Sequence, residues 1–194
     1  ARASGFLATL PNTATDASAD HLCLVTNRHV FQDVDAIRII FTQSDENNKP
    51  IYGKQNAINI HHILSTDLVK YHPQPEVDLA ILPMEALITQ HMKKGVNHFF
   101  TYISYKSFLS AEEWSNLDAV EDLLMVGYPN GLWDEHHNLP IFRRGITASH
   151  PSFDYNNEPC FMADIACFPG SSGSPVFLYN EFVSKFREED KTII

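Results

Sequence analysis

Short runs of apolar residues, separated by turn-forming residues, recur along most of the chain. Residues 36–42 are rich in β-branched and aromatic side chains, and residues 79–82 form a continuous apolar run typical of a strand buried on both faces. Runs at this spacing predict a sandwich or barrel of strands. The predicted strands are 5–10, 22–26, 36–42, 57–64, 68–71, 79–82, 99–103, 123–128, 141–148, 160–166 and 175–179.

Two segments have the composition of helices. Residues 84–94 contain good helix formers and end before Gly95, which predicts the end of a helix, whereas residues 110–117 open with a capping-box pattern. Both segments lie between two groups of strands. The predicted organisation is therefore a first lobe over 1–84, a connection over 85–120 and a second lobe over 121–194. Within the last lobe, the charged residues 185–191 are expected to form a solvated loop.

Length, composition and net charge indicate the size of the core and exclude some classes of binding partner. The chain has 194 residues, of which 44% are hydrophobic and 20% charged, which suits one domain or two small lobes with a substantial core. The net charge of -10 argues against binding to nucleic acid or to an anionic membrane surface. No apolar run is long enough to span a bilayer.

The number and spacing of the cysteines indicate the cellular compartment in which the protein is expected. Cys23, Cys160 and Cys167 are odd in number and irregularly spaced, which favours neither a disulfide framework nor a zinc site. Reduced thiols favour a reducing compartment, so the expected location is the cytoplasm. It would be the periplasm or the exterior if a signal peptide has been removed.

Near the end of the chain, a serine lies among glycines in the run Phe-Pro-Gly-Ser-Ser-Gly-Ser-Pro-Val over residues 168–176. Glycines permit tight turns, and Ser172 in such a turn would expose its hydroxyl beside main-chain N–H groups. A nucleophile with an oxyanion hole needs this arrangement. A plain loop has the same composition, so the interpretation depends on a base and on a group that orients it.

His29 and Asp78 are the candidates for those two roles. His29 follows an apolar run that predicts a buried strand, and Asp78 directly precedes the apolar run 79–82. A carboxylate that abuts a buried strand is costly unless it is paired, and a histidine N–H is a suitable partner. Read singly, each could be a structural histidine or a solvated aspartate.

For five other histidines, the sequence favours a structural role over a catalytic or metal-binding one. His61 and His62 are adjacent on a predicted strand and would point to opposite faces, and His91 lies on a predicted helix. His136 and His137 lie in a polar loop beside two acidic residues, where a solvated loop is favoured over a metal site.

In the order His29, Asp78, Ser172, the chain resembles the trypsin/chymotrypsin-like serine peptidases, and most nearly the bacterial HtrA/DegP type. The matching motifs lie at 5–7 with 24–30, at 77–82 and at 164–175, and residues 126–129 and 144–146 support them. The resemblance implies an all-β, chymotrypsin-like fold of two six-stranded antiparallel β-barrels, with one or two short helices between or beside them. It implies a serine endopeptidase that acts on a protein or peptide without a metal or cofactor.

The resemblance also implies the roles of individual residues. Ser172 would be the nucleophile, His29 the general base and then acid, and Asp78 the group that orients His29. The main-chain N–H groups of Gly170 and Ser172 would form the oxyanion hole. An α/β-hydrolase arrangement is disfavoured, because it needs Gly-x-Ser-x-Gly and a histidine after the serine.

Specificity and activation are implied in the same way. Ala166, Cys167 and Phe168 would contribute to the specificity pocket, with Ala166 at its floor. Alanine offers no counter-charge for Lys or Arg, so we expect a preference for an uncharged, small or medium apolar side chain. Ser171 stands where digestive members carry an aspartate, so activation by an N-terminal ion pair is not expected.

The region after Ser172 is shorter than the family pattern. Three explanations are open: a truncated chain, disordered segments that the sequence omits, or completion of the second barrel by a regulatory domain or a partner chain. Alternative functions are therefore a non-catalytic or inactive binding module of peptidase fold, the peptidase domain of a larger regulated protein, and an esterase that uses the same residues.

Overall fold

The computed structural model describes residues 2–11 and 20–179. Its helices are α1 (Glu85–Lys93) and α2 (Ala111–Ser115). Within these described ranges, no helix has the length and apolar character needed to cross a membrane. The strands are β1 (Phe6–Leu10), β2 (His21–Thr26), β3 (Ala36–Ser44), β4 (Pro50–His61), β5 (Lys70–Tyr71), β6 (Ala80–Pro83), β7 (His98–Phe99), β8 (Ile103–Ser104), β9 (Asp122–Gly127), β10 (Ile141–Thr147), β11 (Ala163–Asp164) and β12 (Val176–Leu178).

The chain divides into two compact units. The first comprises Ala1–Ser110, Val126–Ile141 and Cys167–Pro175, and the second comprises the remaining residues. His29, Asp78 and Ser172 all belong to the first unit. The lobe boundaries at 84/85 and 120/121 stay a prediction.

A five-stranded sheet of the first unit runs in the order β5-β6-β2-β1-β8. The strand β2 lies at its centre and pairs antiparallel with β1 on one side and with β6 on the other. Because both edges of β2 are paired, the position and register of its last residue, Thr26, are well determined. This strand end leads directly to His29.

The second sheet of the first unit runs in the order β4-β3-β7 and shares a core with the first. The core collects apolar side chains from both sheets, from helix α1 and from the turn after β2. Its members include Leu7, Phe31, Phe41, Ile58, Leu82 and Ile88. Phe31 is only 2% exposed, so the turn that carries His29 is anchored in this core.

The second unit contains most of a four-stranded sheet in the order β11-β10-β9-β12, in which β10 pairs antiparallel with β11 and β12 pairs antiparallel with β9. Leu123 and Met125 on β9 are buried. Thr147, at the end of β10, is 2% exposed, and its hydroxyl accepts from the Glu121 N–H at 2.8 Å and donates to the Ala119 carbonyl at 2.9 Å.

The mostly β architecture with two short helices is as predicted, but several boundaries differ. The prediction that residues 79–82 are buried on both faces is wrong. Ala80 and Leu82 face the core, whereas Leu79 is 39% exposed and Ile81 is partly exposed. The strand β4 starts seven residues earlier than its predicted start, at Pro50 rather than at residue 57. The strand β4 pairs with β3 across a register shift between Thr42 and Gln43. The first part of β4 is polar and contains Gly53, so its sequence does not predict a strand.

The predicted strands 99–103 and 160–166 are also shorter than expected. The first is divided into β7 and β8, because β7 pairs with β3 in one sheet and β8 pairs with β1 in the other. The second is reduced to the two residues of β11. The predicted loop 185–191 lies outside the described residues.

Candidate active site

His29 is positioned by the strand β2 and the short 3-10 turn Arg28–Phe31 that follows it. The side chain is 49% exposed, whereas Phe31 in the same turn is buried. An imidazole at the end of a doubly paired strand is thus held by the sheet and remains open to solvent. This is the position that the apolar run before it predicts.

Asp78 reaches His29 through the register of the sheet. Because Ala80 of β6 pairs with Thr26 of β2, the residues just before β6 lie beside the residues just after β2. The Asn27 side-chain amide donates to the Asp78 carbonyl at 2.7 Å and so links the residues after β2 to the residues before β6. Antiparallel pairing therefore brings together two residues that are 49 positions apart.

The Asp78 carboxylate contacts His29 with both oxygens. The His29 main-chain N–H donates to Oδ1 at 2.9 Å, and Nδ1 lies 2.6 Å from Oδ2. Partial burial works to raise the pKa of the Asp78 carboxyl, but the hydrogen bonds from His29 and its charge outweigh burial, so that the pKa lies below its usual value. An ionised carboxylate can only accept, so Nδ1 carries the proton and Nε2 of the neutral ring is left to accept one.

The candidate nucleophile Ser172 follows a tight turn over residues 168–171. The Ser171 N–H donates to the Phe168 carbonyl at 2.9 Å, with Pro169 and Gly170 at the two central positions. Gly170 has a φ of +92°, and the combination of proline and then a positive φ defines a type II turn. The Asn130 N–H donates to the Pro169 carbonyl. Since the peptide unit is planar and trans, the Gly170 N–H points away from Asn130.

The N–H groups on either side of Ser171 are available to a ligand. Ser171 is 7% exposed, its N–H closes the turn, and its hydroxyl accepts from the Phe168 N–H at 3.3 Å. By contrast, the main-chain N–H groups of Gly170 and Ser172 donate to no other group among the described residues. Two unpaired donors beside a candidate nucleophile can stabilise the oxyanion of acyl transfer.

Gly173 places residues 168–173, called the Ser172 turn from here on, against the end of β2. It has a φ of +82°, and a Cβ at this position would lie 2.2 Å from Thr26 Oγ1 and 2.3 Å from the Ser4 carbonyl oxygen. Only glycine permits so close an approach. The turn therefore lies against the residue that comes three positions before His29. No hydrogen bond joins the His29 and Ser172 side chains within the described residues.

Two residues of this site were not identified from the sequence. Ser4 is 4% exposed and hydrogen bonds to the Ser172 turn, and Asn130 holds the Pro169 carbonyl. A signal for Asn130 is the Asn-Gly pair at 130–131, which is typical of a turn with positive φ; Asn130 indeed has a φ of +51°. For Ser4, the sequence offers only a small polar residue that precedes Gly5 and a predicted strand, which does not indicate a role in the site.

The three residues assigned to the specificity pocket are exposed. Cys167 and Phe168 belong to the first unit, and Ala166 belongs to the second. Ala166 precedes Cys167 in a segment without regular secondary structure. The preference assigned to these residues stays a prediction.

Three other histidines make local side-chain contacts. His137 repeats the contact of His29, with its N–H 3.0 Å from Asp134 Oδ1 and its Nδ1 2.6 Å from Oδ2. His91 Nδ1 lies 3.1 Å from His98 Nε2, and His98 is buried. Over the described ranges, no three His, Cys, Asp or Glu side chains are grouped so that they could hold a metal ion.

Comparison with known proteins places this chain in a family. The family model described as a trypsin-like peptidase domain matches residues 3–183, which is nearly the whole chain and includes His29, Asp78 and Ser172. No match was found among curated proteins or among solved structures. The mostly β architecture with two short helices agrees with the chymotrypsin-like double β-barrel fold. The chain therefore belongs to the trypsin-like peptidase family.

Proposed function

We propose that this protein is a serine endopeptidase that cleaves peptide bonds through an acyl-enzyme on Ser172. Its family gives it a peptidase-type function. The observation that carries the finer assignment is the double contact of Asp78 with the His29 main chain and ring, at 2.9 and 2.6 Å. This contact leaves Nε2 free to act as a base. Since His137 makes the same contact with Asp134, the assignment uses the His29 contact together with the Ser172 turn, which Gly173 places against the strand end that leads to His29.

In the proposed reaction, Ser172 Oγ attacks the carbonyl carbon of the scissile peptide, and His29 Nε2 takes the hydroxyl proton. The carbonyl oxygen becomes negatively charged and accepts hydrogen bonds from the N–H groups of Gly170 and Ser172. The intermediate collapses when the C–N bond breaks and Nε2 returns the proton to the leaving amine. A water molecule, deprotonated by the same Nε2, then releases the acid and restores the Ser172 hydroxyl.

Asp78 contributes by orientation and charge. It holds the Nδ1 proton on the side away from the reaction and stabilises the imidazolium that forms when Nε2 is protonated. Its lowered pKa supports this role, because the carboxylate stays ionised throughout the neutral range.

A fluorophosphonate probe tests the proposal, because it reacts covalently only with an activated serine. We expect labelling of the wild-type protein, its loss in Ser172→Ala and its retention in Ser174→Ala. Ser174 is a matched control, since its Oγ is buried and has no hydrogen-bond partner among the described residues. Absence of labelling in a folded wild-type protein would refute the endopeptidase and favour the binding module. Turnover of activated esters but not of peptides would favour the esterase.

The specificity expected from the sequence extends this proposal. Ala166 carries no charge to pair with Lys or Arg, so we propose cleavage after uncharged, small or medium apolar residues. Cleavage sites in a peptide library test this preference, and strict cleavage after Lys or Arg would refute it. The nearness to bacterial HtrA/DegP-type enzymes, a cytoplasmic location and a regulatory domain or partner chain belong to the same proposal.

A further inference from the structure

Ser4 lies at the centre of the contacts that surround the Ser172 turn. Its hydroxyl donates to the Gly170 carbonyl at 2.7 Å and accepts from the Tyr128 N–H at 2.8 Å. Its main-chain N–H donates to the Ser172 carbonyl at 2.9 Å. Its carbonyl accepts from the Thr26 hydroxyl at 2.7 Å. At 4% exposure, these groups have little access to water as an alternative partner.

We propose that Ser4 is a positioning residue that holds the Gly170 and Ser172 N–H groups in the geometry of an oxyanion hole. This inference rests on the proposed function, because the oxyanion forms only if Ser172 is acylated. Among the described residues, Ser4 hydrogen bonds neither to the Ser172 hydroxyl nor to the His29 ring. It acts through the two carbonyls that it holds.

The first step of the argument concerns Gly170. Glycine is the most permissive residue in the turn, and a flip of the Pro169–Gly170 peptide would convert the type II turn to type I and reverse the Gly170 N–H. Asn130 holds the peptide before Gly170, and the Ser4 hydroxyl holds the peptide after it. With a contact on each side, both backbone dihedrals of Gly170 are constrained.

The second step concerns the direction of the hydroxyl. A serine hydroxyl has one proton to donate, and Ser4 directs it to Gly170 while a lone pair accepts from Tyr128. Removal of the hydroxyl would leave a carbonyl and an N–H without these partners in a region of low exposure. The Gly170 carbonyl would then be free to rotate toward other donors.

The third step connects the turn to the base. Through its carbonyl, Ser4 is bonded to Thr26, the last residue of β2, and through its N–H it is bonded to Ser172. One residue thus links the strand that leads to His29 with the turn that carries the nucleophile. Both of these contacts use main-chain atoms of Ser4 and remain when its hydroxyl is removed, so loss of the hydroxyl releases the Gly170 carbonyl and leaves this link in place. Because the Gly170 N–H would act on the oxyanion, we expect loss of the Ser4 hydroxyl to impair acylation more than substrate binding.

The test compares Ser4→Ala with Thr147→Val in the full chain. The Thr147 hydroxyl is equally buried and also accepts from one main-chain N–H and donates to one main-chain carbonyl, but it lies in the second unit. We expect Ser4→Ala to lower the rate of fluorophosphonate labelling and the kcat for an activated ester at least about 10-fold, since loss of an oxyanion donor costs about 10²–10³. KM should change less than about 2-fold. Thr147→Val should lose similar stability and keep both rates.

A second measurement does not depend on activity. Selective ¹⁵N-glycine labelling gives a small set of amide signals, because the chain has 8 glycines. The Gly170 signal, assigned with a Gly170→Ala variant, should shift or broaden in Ser4→Ala and not in Thr147→Val. If the wild type is not labelled by the probe, the proposed function fails, yet the Gly170 signal still tests Ser4.

An isosteric pair covers the case in which Ser4→Ala does not fold. Ser4→Thr retains the hydroxyl and Ser4→Val replaces it with a methyl group of similar size, so we expect Thr to recover most of the labelling rate and of the Gly170 signal that Val loses. Equal behaviour of Thr and Val, or an unchanged Gly170 signal in Ser4→Ala, would overturn the proposal.

Discussion

Substitution of Gly173 by alanine is expected to disrupt the contact between the Ser172 turn and the strand β2. The new Cβ would lie 2.2 Å from Thr26 Oγ1 and 2.3 Å from the Ser4 carbonyl oxygen, and the φ of +82° is unfavourable for any residue with a Cβ. Neither clash can be relieved by a flexible side chain, because one atom belongs to the backbone and the other donates a hydrogen bond to it.

The magnitude follows from three contributions. The positive φ costs about 1–2 kcal/mol for a residue with a Cβ. Separation of the turn from Thr26 breaks the Thr26–Ser4 hydrogen bond, which contributes about 1 kcal/mol. Overpacking adds about 1–3 kcal/mol. We therefore expect Gly173→Ala to lower the free energy of unfolding by about 3–6 kcal/mol, a large part of the total stability of an ordinary domain.

Gly95→Ala is the matched control. Gly95 follows helix α1 with a φ of +76°, and a Cβ there would meet no atom within 4 Å. It should show only the backbone cost of about 1–2 kcal/mol. Urea unfolding of both variants, followed by tryptophan fluorescence and far-UV circular dichroism, measures the difference. Equal destabilisation by the two substitutions would refute the close packing of Gly173 against β2.

Three further predictions concern Asp78 and the thiols. Asp78→Asn should lower kcat for an activated ester about 10³–10⁴-fold, because the amide permits the wrong His29 tautomer; a change of less than about 10-fold would contradict the role of Asp78. The pKa of Asp78 is lower in the folded state than in the unfolded chain, so its stabilising contribution is complete above about pH 4 and is lost at lower pH. The difference in free energy of unfolding between wild type and Asp78→Asn, measured from pH 7 to pH 2, should therefore shrink below about pH 4. Iodoacetamide should modify Cys160 and Cys167, which are exposed, but not Cys23, because burial and the Glu85 charge raise the pKa of its thiol to about 11; modification of Cys23 in the folded protein, mapped by mass spectrometry, would contradict its burial.

Local patterns were sufficient to predict most of the elements. The β-branched run from residue 36 predicts β3, and the helix formers before Gly95 predict α1 to within one residue at each end. These predictions succeed because side-chain branching and glycine act on the backbone of their own segment. The predictions fail where pairing with a distant strand determines the limits of a strand. Examples are the early start of β4 and the division of residues 99–103 between two sheets.

The candidate site shows the same division between local and tertiary information. The residue types His29, Asp78 and Ser172, and their order, could be read from the chain together with its resemblance to a family. The contact between His29 and Asp78 depends on the pairing of Thr26 with Ala80, which no local pattern specifies. Their assignment as a catalytic triad stays a prediction.

By itself, the sequence determined the chemical groups that the protein carries: an imidazole after an apolar strand, a carboxylate before another, and a serine among glycines. The tertiary structure alone decided which groups hold the Ser172 turn. Ser4 and Asn130 are 126 residues apart, yet both bind carbonyls of this turn. Such contacts are made by main-chain atoms and one small hydroxyl. Because almost every residue has these groups, only folding determines which of them meet.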